Sequence, residues 1–135
     1  MFRYKIAGFS LLELLTALSI VAILASISAP SYSGFIARSR RSDAMSALLQ
    51  LQLAQLRWRA GNAAYAADLD ALRWPDDQSP KGYYQLQIER SDATDFLGKA
   101  IPQGVQQSDD CGIFAINSQG PLEESPYAGP ACWNR

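Results

Sequence analysis

Histidine is absent from this chain of 135 residues, and cysteine occurs only twice. The lack of histidine excludes the Ser/His and Cys/His pairs that activate a catalytic nucleophile. Two cysteines without histidine also make a poor zinc site. No glycine-rich phosphate-binding loop is present. The sequence therefore predicts that the protein is not an enzyme and needs neither a cofactor nor a metal.

An excess of positive charge is also missing. The formal net charge is −1, so the overall balance does not favour a polyanionic partner. The acidic pairs Asp76-Asp77, Asp109-Asp110 and Glu123-Glu124 fall on predicted loops. Each pair lacks the spaced oxygen ligands of a calcium-binding loop. The pattern indicates solvated loop charge.

Charge is completely absent from Leu14 to Ala37. This apolar run is longer than the ~20 residues that a helix needs to cross a bilayer. A short leader with Arg3 and Lys5 precedes it, and one carboxylate, Glu13, lies at its start. A carboxylate in hydrocarbon is costly unless it has a partner or a function. The segment therefore predicts a membrane helix with a purposeful acid near its leader end.

Two ordinary explanations of this segment fit poorly. A secretory signal peptide has a shorter apolar region, and here Pro30 follows the best cleavage site directly. A simple membrane anchor leaves Glu13 without a role. Arg38, Arg40 and Arg41 after the run also outnumber the basic residues before it. The positive-inside rule therefore does not by itself orient the helix.

The stretch Gly8-Phe9-Ser10-Leu11-Leu12-Glu13-Leu14 resembles the class III signal of type IV pilins. This resemblance implies that residues 1–8 are a leader, that prepilin peptidase cleaves after Gly8, and that Phe9 becomes N-methylated. Residues 9–37 would be the transmembrane and filament-core helix, and residues 38–135 the globular domain. Glu13 of one subunit would pair with the terminal amine of its neighbour, a strong attraction in low dielectric.

The sequence predicts a single helix from Leu11 to Arg59, roughly 75 Å long and stopped by Gly61-Asn62. Pro30 lies inside this helix, so a kink is expected there. The second half is amphipathic at the helical period of ~100° per residue. Its apolar face comprises Ala44, Ala47, Leu48, Leu51, Ala54 and Trp58, extended by Met45, Leu49, Leu53 and Leu56. An arc this wide is expected to pack under a sheet on one side and against neighbours on the other, with Trp58 in the core. The predicted polar stripe comprises Asp43, Ser46, Gln50 and Arg57.

Three short strands are expected at Tyr83–Glu89, Asp95–Ile101 and Cys111–Asn117, and the tail from Pro121 has little pattern. Export would favour a Cys111–Cys132 disulfide, which would stabilise the fold by about 3 kcal/mol. Two free thiols are the alternative. The expected fold is α+β: a long N-terminal helix packed on a small antiparallel sheet, with a disulfide-closed C-terminal loop.

Later motifs extend the resemblance to minor pilins of the E type, a group that includes DNA-uptake pilins. They are Arg41-Ser42-Asp43-Ala44, Gly82-Tyr83-Tyr84, Cys111-Gly112 and Cys132-Trp133. The resemblance implies a structural subunit of a type IV pilus. Its implied partners are other pilin subunits, the prepilin peptidase/N-methyltransferase, the inner-membrane assembly machinery and membrane lipid. Before assembly it would be a single-pass inner-membrane protein with a periplasmic or cell-surface globular part, and afterwards part of an extracellular pilus.

Three other functions stay open from the sequence. A DNA-binding competence pilin could use a basic stripe beside Tyr83 or Trp74, formed by Arg73, Lys81, Arg90 and Lys99. The acidic balance makes DNA binding the less favoured interpretation. A pseudopilin of a type II secretion system and an ordinary membrane-anchored binding domain are the others. Arg38, Arg40 and Arg41 are expected to contact lipid headgroups, and acids of neighbouring subunits after assembly.

Overall fold

A computed structural model describes residues 8–133, apart from the side chains of residues 28–31. The first seven residues, which include the predicted basic leader residues Arg3 and Lys5, and the last two residues lie outside this description. The described chain forms two compact units that meet between Ile36 and Ala37.

The expected long helix is confirmed: α1 extends over Leu11–Arg59. Its first hydrogen bond runs from the Leu14 amide to the Ser10 carbonyl at 3.1 Å. At the other end, the Gly61 amide and the Asn62 side chain both donate to the Trp58 carbonyl, at 3.1 and 2.7 Å, and so cap the last turn. The helical backbone continues through residue 30, whose side chain is not described, so the kink at Pro30 stays a prediction.

The second unit, Ala37–Arg135, contains a four-stranded antiparallel sheet in the order β1-β2-β3-β4. The strands are β1 (Tyr84–Ser91), β2 (Phe96–Pro102), β3 (Phe114–Ile116) and β4 (Pro121–Leu122), and a 3-10 helix over Gly104–Ser108 follows β2. The three predicted strands are confirmed with shifted ends. The two-residue β4 is too short to leave a pattern in the sequence. The expected α+β architecture is therefore present.

The core of this unit lies between the inner face of α1 and one face of the sheet. Ala44, Ala47, Leu48 and Leu51 are fully buried there. A Cβ atom added to Gly98 would lie 2.8 Å from Cδ2 of Leu51, which is too close for a carbon–carbon contact. The glycine that weakens the strand pattern of β2 is thus required for the close approach of the helix to the sheet.

The disulfide Cys111–Cys132 is formed, so the alternative of two free thiols is wrong. The Ala128 amide donates to the Ile113 carbonyl at 2.8 Å, and the Trp133 indole donates to the Ala128 carbonyl at 3.1 Å. The Trp133 ring packs edge-on against Phe114, with 5.1 Å between centroids. The C-terminal segment is thereby fixed to the core.

The predicted faces of α1 need two corrections. Asp43, expected on the polar stripe, is buried because a loop packs over it. Trp58, expected in the core, is only partly buried. Leu49, Leu53 and Leu56 lie on the part of the apolar arc that the sheet does not cover, and they are about half exposed.

Candidate assembly and binding surfaces

The N-terminal segment of α1 leaves its apolar side chains uncovered. Phe9 is 85% exposed and Leu18 is 66% exposed, whereas core leucines are fully buried. An exposed apolar surface of this length marks a site that other molecules or a membrane cover. The exposed side chains are Phe9, Leu11, Leu12, Leu14, Leu15, Leu18, Ile20, Val21, Ile23, Leu24 and Ile27.

Three hydroxyl groups of this segment form hydrogen bonds within their own helix. The hydroxyls of Thr16, Ser19 and Ser26 donate to helix carbonyls three or four residues earlier, at 2.9, 2.8 and 2.7 Å. Such bonds are the way hydroxyls are accommodated in an apolar environment. Glu13 differs, because its carboxyl group takes part in no ion pair among the described residues.

By length and apolar composition, no single helix among the described residues could cross a membrane. The segments Leu11–Ile27 and Tyr32–Arg59 meet the requirement of length and composition only when taken together.

In the second unit, the helix holds the surrounding loops through side chains that flank its buried face. Nε of Arg41 donates to Oδ2 of Asp109 at 2.8 Å, and Nη2 donates to Oδ1 at 2.5 Å. The hydrogen bonds that Arg41 donates to Asp109 raise the pKa of Arg41 above its ordinary value. Asp109 also accepts from the Gln106 amide at 2.9 Å. The bidentate pair fixes the 3-10 helix segment to α1.

This pair corrects two expectations from the sequence. Asp109 is not a solvated loop acid, since its side chain is only 6% exposed. Arg41 finds its acid within its own chain rather than on a neighbouring subunit. The buried phenol of Tyr84 lies near Arg41. Burial raises the pKa of this phenol to about 12.

Asp43 fixes the loop that precedes β1. Its carboxylate accepts from the Ser79 hydroxyl at 2.5 Å and from the Lys81 amide at 3.1 Å. The same hydroxyl accepts from the Tyr84 amide at 3.0 Å. Asp43 therefore organises the start of the sheet, and each of its carboxyl oxygens accepts a hydrogen bond, as burial of a polar group requires.

Two glutamines do the same work farther along the helix. Gln55 donates to the Ala66 carbonyl at 3.0 Å and accepts from the Ala66 amide at 2.8 Å. Gln52 donates to the Asn117 carbonyl at 2.9 Å. The sequence signal for these residues is their position, one helical turn after the buried Leu51 and Leu48, at the border of the apolar face.

The four basic residues expected to form one stripe lie in separate places. Lys99 forms an ion pair with Glu89, and its Nζ lies 5.6 Å from the Tyr127 ring centroid. The backbone amide of Lys81 donates to Asp43, whereas Arg73 lies beside Trp58 near the end of α1. Arg90 is exposed on β1. Arg40, rather than Lys81, lies over the ring of Tyr83.

One pair of arginines does share a site. Arg73 has a left-handed backbone with φ of 55°, an uncommon conformation for a residue other than glycine. It lines a shallow cleft of about 360 Å³ with Arg57 and the partly buried indole of Trp58. Sequence reasoning missed Arg57 for binding; its position beside a tryptophan was the available signal. The cleft is lined by Ala54, Arg57, Trp58, Ala71, Leu72 and Arg73.

A long N-terminal helix with an exposed apolar half, packed in its second half on a small antiparallel sheet with a disulfide-bonded C-terminal segment, defines the pilin class. Residues 3–29 match the prokaryotic N-terminal methylation motif. Residues 30–115 match the family described as type IV minor pilin ComP, DNA uptake sequence receptor. The chain belongs to this family of minor pilins, which are structural proteins and not enzymes. A search of curated proteins found no match.

Proposed function

We propose that this minor pilin is made as an inner-membrane precursor, cleaved after Gly8, N-methylated at Phe9 and assembled into a type IV pilus. The observation that carries the proposal is the exposed apolar half of α1. Lipid would cover this surface before assembly, and the helices of other subunits would cover it afterwards. The match to the N-terminal methylation motif supports the same sequence of events.

Glu13 would set the axial register between neighbouring subunits. Cleavage after Gly8 creates a cationic amine at Phe9, and an acid and an amine attract strongly in low dielectric while each alone is costly. The amine of one subunit would therefore seat against Glu13 of the next. The pairing selects one axial offset between subunits, which apolar packing alone leaves undefined.

Incorporation into filaments tests this proposal. Glu13→Gln keeps the size of the side chain and removes its charge, so the variant should insert and be processed but appear in purified pili at a strongly reduced level. Ser19→Ala is the matched control, because its hydroxyl bonds only within its own helix. Normal incorporation of Glu13→Gln would contradict the pairing.

DNA binding is a second candidate function, favoured by the description of the family as a DNA uptake sequence receptor. The cleft between Arg57 and Arg73 supports it with suitable chemistry. Guanidinium groups contact phosphates, and an indole offers a stacking surface for a base. Lys99 is a weaker candidate because Glu89 neutralises it.

Binding of short DNA duplexes to the mature chain in detergent, measured by anisotropy over a series of salt concentrations, tests this function. Arg57→Ala and Arg73→Ala should each weaken binding and reduce the slope of log affinity against log salt by about 1. Arg90→Ala is the control, an exposed arginine removed from the cleft. Absence of binding at low salt would rule out the DNA function while leaving the assembly proposal intact.

A further inference from the structure

The part of the second unit that the chain enters first is built from three separate segments. The Gln106 side chain donates to the carbonyl of Ala37 at 3.4 Å, and the Lys81 amide donates to Asp43 at 3.1 Å. The loop before β1 and the 3-10 helix therefore both lie beside the first turns of α1 in this unit. The proximal face is defined here by Arg38, Arg40, Tyr83 and Val105.

Two cations on the proximal face lack an acidic partner. Arg41 is committed to Asp109, but neither Arg38 nor Arg40 takes part in an ion pair among the described residues. The guanidinium carbon of Arg40 lies 5.0 Å from the centroid of the Tyr83 ring. Its Nε atom is buried with no hydrogen-bond acceptor in the described part of the chain. The proximal face therefore presents two guanidinium groups that no ion pair neutralises among the described residues.

An aliphatic side chain stands in the same place. Val105, on the 3-10 helix, is 63% exposed, while the neighbouring Gln106 is buried and tied to Ala37. Basic residues, a tyrosine and an exposed aliphatic residue form the combination that suits the boundary between a bilayer and water. The uncharged run ends at Ala37, one residue before Arg38.

We propose that the proximal face binds the headgroups of anionic phospholipids. The inference rests on the membrane-resident precursor proposed above and adds that the folded unit itself contacts the bilayer surface. Arg38 and Arg40 attract the lipid phosphates, and Val105 enters the boundary layer. A DNA backbone shares the phosphate chemistry, but it offers no apolar layer for Val105. The residue after the apolar run is also where headgroups would lie.

A spin label at Val105 tests the proposal in the full mature chain. The Val105→Cys variant is labelled and reconstituted into vesicles of phosphatidylcholine, with or without phosphatidylglycerol. Power saturation then compares collisions of the label with lipid-soluble oxygen and with a water-soluble nickel complex. A label at Gln119→Cys, on the turn after β3, serves as the site expected to stay in water.

Phosphatidylglycerol should raise the oxygen-to-nickel ratio at position 105 several-fold and leave position 119 unchanged, and high salt should reverse the rise. Arg38→Gln with Arg40→Gln should abolish the rise, and Arg38→Gln alone, at an exposed site, should reduce it. Arg38→Lys with Arg40→Lys should retain it. The charge-matched control Arg57→Gln with Arg73→Gln should behave like the parent.

An equal ratio in both kinds of vesicle, or a rise that survives loss of both arginines, would overturn the proposal. A change in the collision rates of the label at position 105 that follows addition of DNA duplex, in vesicles of phosphatidylcholine alone, would assign the face to DNA instead. These outcomes are independent of the assembly proposal, because leader cleavage and incorporation into pili are measured separately.

Discussion

The two halves of α1 use their side chains in opposite ways. In the N-terminal half, apolar side chains are exposed and hydroxyls bond back to their own helix. In the second half, one apolar face is buried, and polar side chains at its border hold loops: Arg41, Asp43, Gln52 and Gln55. The helix thus carries a segment with exposed apolar side chains and a segment whose side chains bind within their own domain.

The difference shows where each kind of mutation should act. Side chains that contact their own domain determine its free energy of unfolding. Side chains that contact nothing within the chain should affect assembly or membrane residence instead. Glu13 belongs to the first half by position, and it takes part in no ion pair among the described residues.

Two leucines of α1 with opposite burial should give the largest difference in the free energy of unfolding. Leu48 is fully buried and Leu18 is 66% exposed. Leu48→Ala should reduce the free energy of unfolding by about 4 kcal/mol, because it leaves a cavity in the core. Leu18→Ala should not change it. Urea unfolding of the mature chain in detergent, followed by tryptophan fluorescence, measures both. Similar losses would contradict the division.

Removing one partner of the Arg41–Asp109 pair should have the next largest effect. Arg41→Ala leaves the carboxylate of Asp109 without its main partner at a site where that side chain is 6% exposed, so a loss of about 3 kcal/mol is expected. Replacing both residues, as Arg41→Met with Asp109→Leu, should cost clearly less. A double variant that is as unstable as the single one would show that the pair acts by packing and not by charge.

The disulfide is expected to contribute about 3 kcal/mol, since it closes a loop with a sequence separation of 21 residues. Cys111→Ser with Cys132→Ser should lower the midpoint of urea unfolding accordingly. The C-terminal segment, with Trp133, should also exchange its amides faster. Unchanged exchange near Trp133 would mean that its indole hydrogen bond and ring packing fix this segment by themselves.

Gln55 offers a smaller and more local test. Gln55→Ala leaves the buried amide and carbonyl of Ala66 without partners, which should cost about 2 kcal/mol. Gln50→Ala is the control on the exposed face, where the side chain bonds only to Ser46. Equal stability of the two variants would show that Gln55 does not hold the loop around Ala66.

The weakest effect should appear at low pH. Hydrogen bonds from the Thr94 hydroxyl and the amides of Thr94 and Asp95 lower the pKa of Asp92 to about 2, from an ordinary value of 3.8. A carboxyl with a depressed folded-state pKa stabilises the fold above pH 3.8, and this contribution disappears as the pH falls towards 2. Asp92→Asn should flatten that part of the curve of unfolding free energy against pH, as measured by urea unfolding.

Patterns along the sequence predict the helix and the three longer strands. The uncharged run, the amphipathic period and Gly61-Asn62 determine both ends of α1, because these are local signals. The two-residue β4 has no local signal; its pairing with β3 depends on a turn and on the fixed C-terminal segment. Gly98 weakens the local strand pattern of β2, and only the approach of Leu51 explains why a glycine is required there.

The loop-holding side chains were the least predictable part. The helical period places Asp43 on the polar face of α1, and the loop position of Asp109 indicates a solvated acid. Both are buried by segments distant in sequence, Ser79 for the first and Arg41 for the second. The predicted basic stripe failed to form for the same reason, since loop positions are set by tertiary contacts. The N-terminal signal was predictable because its residues act through their order alone.

Intact mass and N-terminal analysis of the mature protein test the central proposal most directly. We expect a chain that begins at Phe9 with an added N-methyl group, and an uncleaved precursor when Gly8 is substituted. A mature protein that still begins at Met1, or one cleaved beyond the apolar run, would contradict assembly as a type IV pilus subunit.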